Sequence, residues 1–195
     1  MPLYYLDVES EGEDPQQDRL ISVQVQPLAD DLRPTAPMTV LTEWEWGEKE
    51  MVRSAISKGI FEETWDFVPV GNRLRFDLTF LLERARHHAL LSLDPAAIRR
   101  FWFNKPMLDI GSVLILMNGG KFDGSSIANF VQKGASAEVP MLYRQGKHGD
   151  ILAYVREEGD ATLALLGELR SMLTTFGERK RRQPEPGRGT TVGKP

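Results

Sequence analysis

The chain has 195 residues, of which 41% are hydrophobic and 27% charged, and it contains no cysteine. This length and composition are typical of one globular domain with a substantial core, and the lack of cysteine excludes disulfides, thiolate ligands and cysteine nucleophiles. No apolar run approaches the roughly 20 residues that span a membrane, and the first residues lack the basic segment of a signal peptide. We therefore expect a cytoplasmic protein that makes no membrane contact.

The net charge of −4 is unevenly distributed along the chain. Residues 178–195 hold six basic and two acidic residues, which leaves a net charge of −8 on residues 1–177. The composition of the C-terminal segment, rich in Pro, Gly and Arg, is typical of disorder, so we predict one domain over residues 1–177 and a disordered basic tail over 178–195. An acidic domain lacks the usual electrostatic footprint of nucleic-acid binding. A cluster of metal-binding carboxylates would account for part of the acidic excess.

Hydrophobic periodicity divides the chain into early strands and a later alternation of strands and helices. Polar and apolar residues alternate over 19–26, which predicts a half-exposed strand that pairs with the first strand in a hairpin. Strands in a meander followed by strand–helix alternation indicate an α/β fold with a mixed sheet, antiparallel in its first strands and then parallel, flanked by helices. The predicted strands cover residues 3–9, 19–26, 38–42 and 65–70, and the predicted helices cover residues 48–60, 76–89, 109–117, 125–132 and 150–176.

Two carboxylates interrupt the first predicted strand, in the segment Leu3-Tyr4-Tyr5-Leu6-Asp7-Val8-Glu9. Because side chains alternate along a strand, Asp7 and Glu9 point to the same face. Two buried anions without a counter-charge repel each other and resist desolvation, at a cost on the order of several kcal/mol per ion. A bound divalent cation removes this conflict, and carboxylate oxygens favour Mg²⁺ or Mn²⁺ over zinc.

A third acid, Glu158, falls within the apolar stripe of the long predicted helix. At about 100° per residue, Tyr154 lies one turn before Glu158 near the edge of the stripe, and Asp160 points about 180° away. The alternative is that Glu158 sits at an exposed end, or that Gly159 distorts the helix and rotates the stripe, since glycine is destabilising inside a helix. The stripe comprises Ile151, Val155, Thr162, Leu166, Leu169, Leu173 and Phe176.

A fourth acid, Asp77, stands near the start of a predicted helix that follows a buried strand and a turn containing Gly71. In isolation, an acid in the first turn is commonly a cap or a partner of the helix dipole. Helix starts that follow buried strands gather at the carboxyl edge of an α/β sheet, where functional sites form. The sequence therefore predicts that Asp77 lies near the end of the first strand.

Three segments resemble, in order, the motifs of the DEDD-type 3′–5′ exonucleases of the ribonuclease H-like fold. The segment Tyr5-Leu6-Asp7-Val8-Glu9 is similar to their first motif, an aspartate and a glutamate separated by one residue. Residues 70–81 are similar to the second, in which Gly and Asn precede Phe-Asp and an apolar helix. Residues 154–165 are similar to the third motif of the tyrosine subclass, with Tyr four residues before an acid and Thr four residues after it. Leu108-Asp109 and residues 125–130 resemble the segments between the last two motifs.

The resemblance implies a metal-dependent 3′–5′ exonuclease that hydrolyses the phosphodiester bonds of DNA or RNA at a single strand or 3′ end by a two-ion mechanism. It implies that two Mg²⁺ or Mn²⁺ ions are held by carboxylates, and that Tyr154 orients the attacking water by a hydrogen bond. The implied ligands are Asp7, Glu9, Asp77 and Glu158.

The chain departs from the family pattern at two positions. The last metal ligand of the family is usually Asp, whereas the matching position here is Glu158; a shift in helix register would make Asp160 the ligand instead. The Gly-x-Asn of the second motif appears as Gly71-Asn72-Arg73. These departures leave a second hypothesis open, a catalytically inactive ribonuclease H-like module that binds nucleic acid or a protein partner.

Overall fold

Five strands form one mixed sheet in the computed structural model, which describes residues 2–92, 94–130 and 138–182. The strands are β1 (Leu3–Ser10), β2 (Leu20–Leu28), β3 (Thr39–Thr42), β4 (Val68–Gly71) and β5 (Leu108–Asp109). Their order in the sheet is β3-β2-β1-β4-β5. The pairs β1–β2 and β2–β3 are antiparallel, whereas β1–β4 and β4–β5 are parallel. The predicted α/β architecture, with antiparallel strands first and parallel strands after, is confirmed.

Helices cover both faces of this sheet. In chain order they are α1 (Glu43–Trp46), α2 (Glu48–Ile56), α3 (Leu74–His87), α4 (Pro95–Asn104), α5 (Gly111–Met117), α6 (Val139–Arg144) and α7 (His148–Arg182). On one face, Leu6 and Val8 of β1 share a core with residues of α2 and α3. On the other face, Leu3 and Tyr5 share a core with residues of α5 and α7. This alternation follows from the two-residue period of a strand.

Several elements differ from the sequence-based expectations. The helices α1, α4 and α6 and the two-residue strand β5 were not predicted, and α1, α6 and β5 are too short to show periodicity. The helix α4 nevertheless carries a start signal, since Asp94 accepts a hydrogen bond from the backbone of Ala97 at 2.6 Å and Pro95 begins the helix. The predicted strand over 65–70 begins only at Val68. The predicted helix over 125–132 is a 3₁₀-helix at Ile127–Asn129, and positions 131–132 lie outside the described residues.

The prediction that β2 is half-exposed is wrong. Val23 and Val25 pack in the core beneath α2 and α3, and Ser22 and Gln24, on the opposite face, are also fully buried. Residues of α6 and α7 pack on that opposite face, beginning at Ile21. The alternation of polar and apolar residues therefore reflects a polar layer inside the protein and not a strand surface in water.

The longest helix, α7, leaves the core before it ends. It runs without interruption through Gly159 and continues to Arg182, five residues into the segment predicted as a disordered tail. Leu173 and Phe176, predicted to face the core, are 63% and 59% exposed. The remainder of the predicted tail, 183–195, lies outside the described residues. Within the described ranges, no helix combines the length and apolarity that crossing a membrane requires.

Candidate metal centre

Three carboxylates from two elements meet at one end of the sheet. Asp7 and Glu9 project from the same face of β1, and Glu158 reaches them from α7. One carboxylate oxygen from each of the three lies within 4.8 Å of the others. Glu9 is only 9% exposed, and the pairing of β1 with β2 shifts register directly after it. Such a bulge bends a strand and re-aims its side chains beside many active sites.

The close approach of α7 to β1 depends on Gly159. A Cβ atom at this position would lie 2.3 Å from Cε of Met38 and 3.2 Å from Cε1 of Tyr5. Tyr5 is 1% exposed and stands on β1 two residues before Asp7, so its ring has little room to move. Glycine at 159 thus lets the helix pack directly on the strand, and it does not break α7 as the alternative interpretation supposed.

Asp160, the alternative ligand, points away from the three carboxylates. Its side chain is exposed, and it lies beside Asp31 and Arg33 in a shallow surface groove of about 310 Å³. The structure thus brings Glu158, and not Asp160, to Asp7 and Glu9. The assignment of these acids as metal ligands stays a prediction.

Asp77, the fourth predicted ligand, is not among the three acids whose oxygens lie within 4.8 Å of one another, although it stands in the first turn of α3 within electrostatic reach of them. Its side chain is 4% exposed, and its Oδ2 atom forms no hydrogen bond within the described residues. Burial raises the pKa of this carboxyl well above its ordinary value, and the negative charges of Asp7 and Glu9 raise it further. The N-cap position of α3 is occupied by Arg73, in the left-handed region at φ 58°, so Asp77 is not the cap of its helix. A buried, partly orphaned carboxylate among other acids is what a cation would neutralise.

The turn that begins α3 is held by Asp109, at the end of β5. Its Oδ1 atom accepts hydrogen bonds from the backbone N–H groups of Arg73, at 3.0 Å, and of Gly111, at 2.8 Å. Before this turn, a Cβ atom at Gly71 would lie 2.6 Å from the carbonyl oxygen of Leu6, so only glycine lets β4 end so close to β1. Sequence reasoning identified Asp109 only as part of a segment. No local pattern marks this role, because the strand that ends at Asp109 has only two residues.

Tyr154 donates a hydrogen bond from its phenol to Glu158, one turn further along α7. The side chain is 9% exposed. Burial raises the pKa of the phenol, and the charges of Glu158 and Glu9 raise it further. The phenol therefore stays protonated at neutral pH, as a hydrogen-bond donor at the edge of the carboxylate cluster.

The chemistry of these side chains fits a divalent cation. Each ligand offered is a carboxylate oxygen, which Mg²⁺ and Mn²⁺ prefer. Like charges packed within 4.8 Å oppose one another in a partly dry site unless a counter-charge is bound. Oδ2 of the buried Asp77, which has no hydrogen-bond partner in the part of the chain that the structure describes, is a further acceptor that a cation can satisfy. The residues that could hold such an ion are Asp7, Glu9, Glu158 and Asp77.

Comparison with known proteins gives matches to solved structures but none to protein families or curated sequences. No model of a protein family matches the chain, and no curated protein matches it. The structure is similar to that of E. coli exonuclease I in complex with a dT13 oligonucleotide, with a TM-score of 0.56 at 12% identity over 91% of this chain and 43% of the other. A second exonuclease I structure gives a TM-score of 0.52 at 14% identity over 87% of this chain and 41% of the other.

At these identities the likeness shows the fold alone, and that fold is the ribonuclease H-like fold of the exonucleases, as the sequence predicted. The chain spans less than half the length of either exonuclease I structure.

Proposed function

We propose that this protein is a metal-dependent 3′–5′ exonuclease that hydrolyses the phosphodiester bonds of single-stranded nucleic acid. The observation that carries the proposal is the meeting of Asp7, Glu9 and Glu158, with ligand oxygens within 4.8 Å of one another. Acids from the first and third motifs converge although about 150 residues separate them in the sequence. A purely structural role does not account for this, because mutual repulsion makes such a cluster unfavourable without a counter-ion.

The side chains of this centre have distinct tasks in the proposed reaction. Asp7, Glu9, Glu158 and Asp77 hold two divalent ions. When bound, such ions supply the positive charge that phosphodiester hydrolysis needs around the attacking and leaving oxygens. Tyr154 remains protonated, so it serves as a donor that fixes Glu158 and orients water, and it does not act as a base.

Two features support a nucleic-acid strand as the substrate. The exonuclease I structure with the higher TM-score carries a dT13 oligonucleotide, which is a single strand. In this chain, Arg73 and Arg75 are exposed where α3 begins, and their guanidinium groups lie over the rings of Phe122 and Trp102. Exposed guanidinium groups can contact the backbone phosphates of a nucleic-acid strand.

The test measures nucleotide release from 5′-labelled DNA and RNA oligonucleotides in Mg²⁺, in Mn²⁺ and in EDTA. The wild-type chain is compared with Asp7→Ala and Glu158→Gln, and with Asp160→Asn as a matched control on the exposed side of α7. The expected result is a metal-dependent ladder that shortens from the 3′ end, is abolished in the first two variants and is retained in Asp160→Asn.

One outcome contradicts the proposed activity, and another changes only the assignment of the last ligand. If the protein binds the oligonucleotides but releases no product from DNA or RNA, the result supports an inactive binding module and contradicts the exonuclease. Loss of activity in Asp160→Asn with retention in Glu158→Gln assigns the last ligand to the alternative position.

A further inference from the structure

A row of polar side chains lies buried on β2, the strand next to the one that carries Asp7 and Glu9. Ser22 and Gln24 of β2 are 0% exposed, and Gln26 on the same strand is 7% exposed. A buried amide or hydroxyl costs free energy unless its hydrogen bonds are satisfied, and the other face of the same strand is filled by Val23 and Val25. Apolar packing alone therefore does not explain why three alternate positions on this buried face of β2 are polar.

Strand pairing sets two of these side chains beside the acids. Gln24 lies directly opposite Asp7, and Ser22 lies directly opposite Glu9. Directly opposite residues in antiparallel strands share a face, with Cβ atoms about 4.5–5.5 Å apart. Gln26 is one pair further from the cluster, opposite Tyr5.

The two polar side chains opposite the acids are joined to each other. Nε2 of Gln24 donates to Oγ of Ser22 at 2.8 Å. A hydroxyl that accepts one hydrogen bond can still donate its own proton. Ser22 can therefore donate a hydrogen bond to a neighbouring carboxylate. Oε1 of Gln24 and Oγ1 of Thr42, which lies opposite Ser22 on β3, form no hydrogen bond within the described residues. Oε1 of Gln26 likewise forms no hydrogen bond within the described residues, while its Nε2 donates to the backbone oxygen of Ala36 at 3.1 Å.

We propose that Gln24 and Ser22 are positioning residues that hold the carboxylates of Asp7 and Glu9 in the arrangement a divalent cation requires. The inference rests on the proposed function for the assignment of these acids as ligands. Partners behind a ligand fix its orientation and typically account for about 10–100-fold in metal affinity. The free-energy cost of burying polar side chains on β2 is thus explained by the need to orient the acids on the neighbouring strand β1.

The test measures Mn²⁺ affinity of the full chain by calorimetry without nucleic acid, so that its readout is independent of activity. Gln24→Met removes the amide at similar volume, and Gln26→Met makes the same change on the same face of β2, one pair further from the cluster. The expected result is that Gln24→Met weakens Mn²⁺ binding about 10–100-fold, while Gln26→Met leaves it within about twofold. Melting curves in EDTA verify that both variants are folded.

Each outcome separates this inference from the proposed function. Equal Mn²⁺ affinity in wild type and Gln24→Met overturns the inference and leaves the nuclease proposal standing, and equal losses in both methionine variants overturn it as well, because packing then accounts for the effect. A loss confined to Gln24→Met in a chain that releases no nucleotide supports the inference while the nuclease proposal fails. If Gln24→Met does not fold, Ser22→Ala decides, and unchanged Mn²⁺ affinity in that variant overturns the inference.

Discussion

The phenol of Tyr154 donates a hydrogen bond to the carboxylate of Glu158, so one turn of α7 delivers both an acid and its donor to the carboxylates of β1. The i, i+4 spacing places the two side chains on one side of the helix. Both side chains are carried by α7, and the distance of this helix from the sheet depends on Gly159.

Replacing Tyr154 by phenylalanine removes the donor and keeps the ring. We expect the rate of nucleotide release to fall about 10- to 100-fold, which corresponds to the loss of one hydrogen bond to a charged group, with little change in Mn²⁺ affinity. The matched control is Tyr143→Phe, since Tyr143 also donates its phenol to a carboxylate, that of Glu43. A wild-type rate in Tyr154→Phe, or an equal loss in the control, contradicts the assigned role.

Replacing Asp77 by asparagine removes a buried carboxyl whose pKa is raised by burial and by neighbouring acids. A raised pKa means that the metal-free wild type loses stability as pH rises from about 4, the value in the unfolded chain, through the value in the folded chain. In EDTA at pH 7, Asp77→Asn should therefore melt at a higher temperature than wild type, whereas Mn²⁺ should stabilise it less. Asp160→Asn, at an exposed site, should show neither effect, and a lower melting temperature of Asp77→Asn in EDTA would refute the prediction.

Two glycines of α7 allow a comparison within one helix. A Cβ atom at Gly159 meets Met38 and the ring of Tyr5, whereas a Cβ atom at Gly167 has no atom within 4 Å. Gly167→Ala should raise the free energy of unfolding by about 1 kcal/mol through helix propensity. Gly159→Ala should lower it by about 1 kcal/mol, because crowding of the buried ring outweighs the same gain. Urea unfolding of both variants measures the difference, and equal stabilisation would show that α7 does not depend on glycine to approach β1.

A buried ion pair joins α2 to α3 on the other side of the sheet. Arg84 donates two hydrogen bonds to Glu48, from Nε and from a terminal nitrogen, each at 2.7 Å, and both side chains are almost fully buried. Arg84→Met removes the guanidinium from the buried Glu48, which keeps contacts with His88 at 2.8 Å and with the backbone N–H of Leu20 at 2.9 Å. We therefore expect a loss of about 3 kcal/mol in the free energy of unfolding, the lower end of the cost of breaking a buried ion pair. The control is Arg53→Met, which removes an exposed pair with Glu50 and should cost less than about 1 kcal/mol. Similar losses in the two variants would contradict the role of burial.

Lys105 gives the stability of the protein a pH dependence in the alkaline range. Its ammonium group donates to the backbone oxygen of Glu62 at 2.7 Å, and burial lowers the pKa of Lys105 to about 8. The unfolded chain binds more protons than the folded one between pH 8 and about 10.4, so stability due to this group rises with pH over that window, by up to about 1.4 kcal/mol per pH unit. Urea unfolding of wild type and Lys105→Met at pH 7, 8, 9 and 10 isolates this contribution. A constant difference between the two proteins across the series would disprove it.

Much of the fold could be predicted from local patterns. The strands β1 and β2, the hairpin between them and the helices α3 and α7 were predicted near their observed bounds, since periodicity extends over enough residues in each. The elements α1, α4, α6 and β5 were missed because each is short or begins with a signal, such as Asp94-Pro95, that periodicity does not report. The turn around Asp109 was missed as well, because its hydrogen bonds join segments 36 residues apart.

By itself, the sequence determined the mixed sheet, the shared face of Asp7 and Glu9, and the spacing of Tyr154 and Glu158, because strand and helix periods are local properties of the backbone. Only the tertiary structure shows that Glu158, and not Asp160, lies beside Asp7 and Glu9, since this depends on how α7 packs against Tyr5 at Gly159. It also decided that Ser22 and Gln24 are interior residues. Alternation along a strand separates its two faces but does not say which face another element will cover.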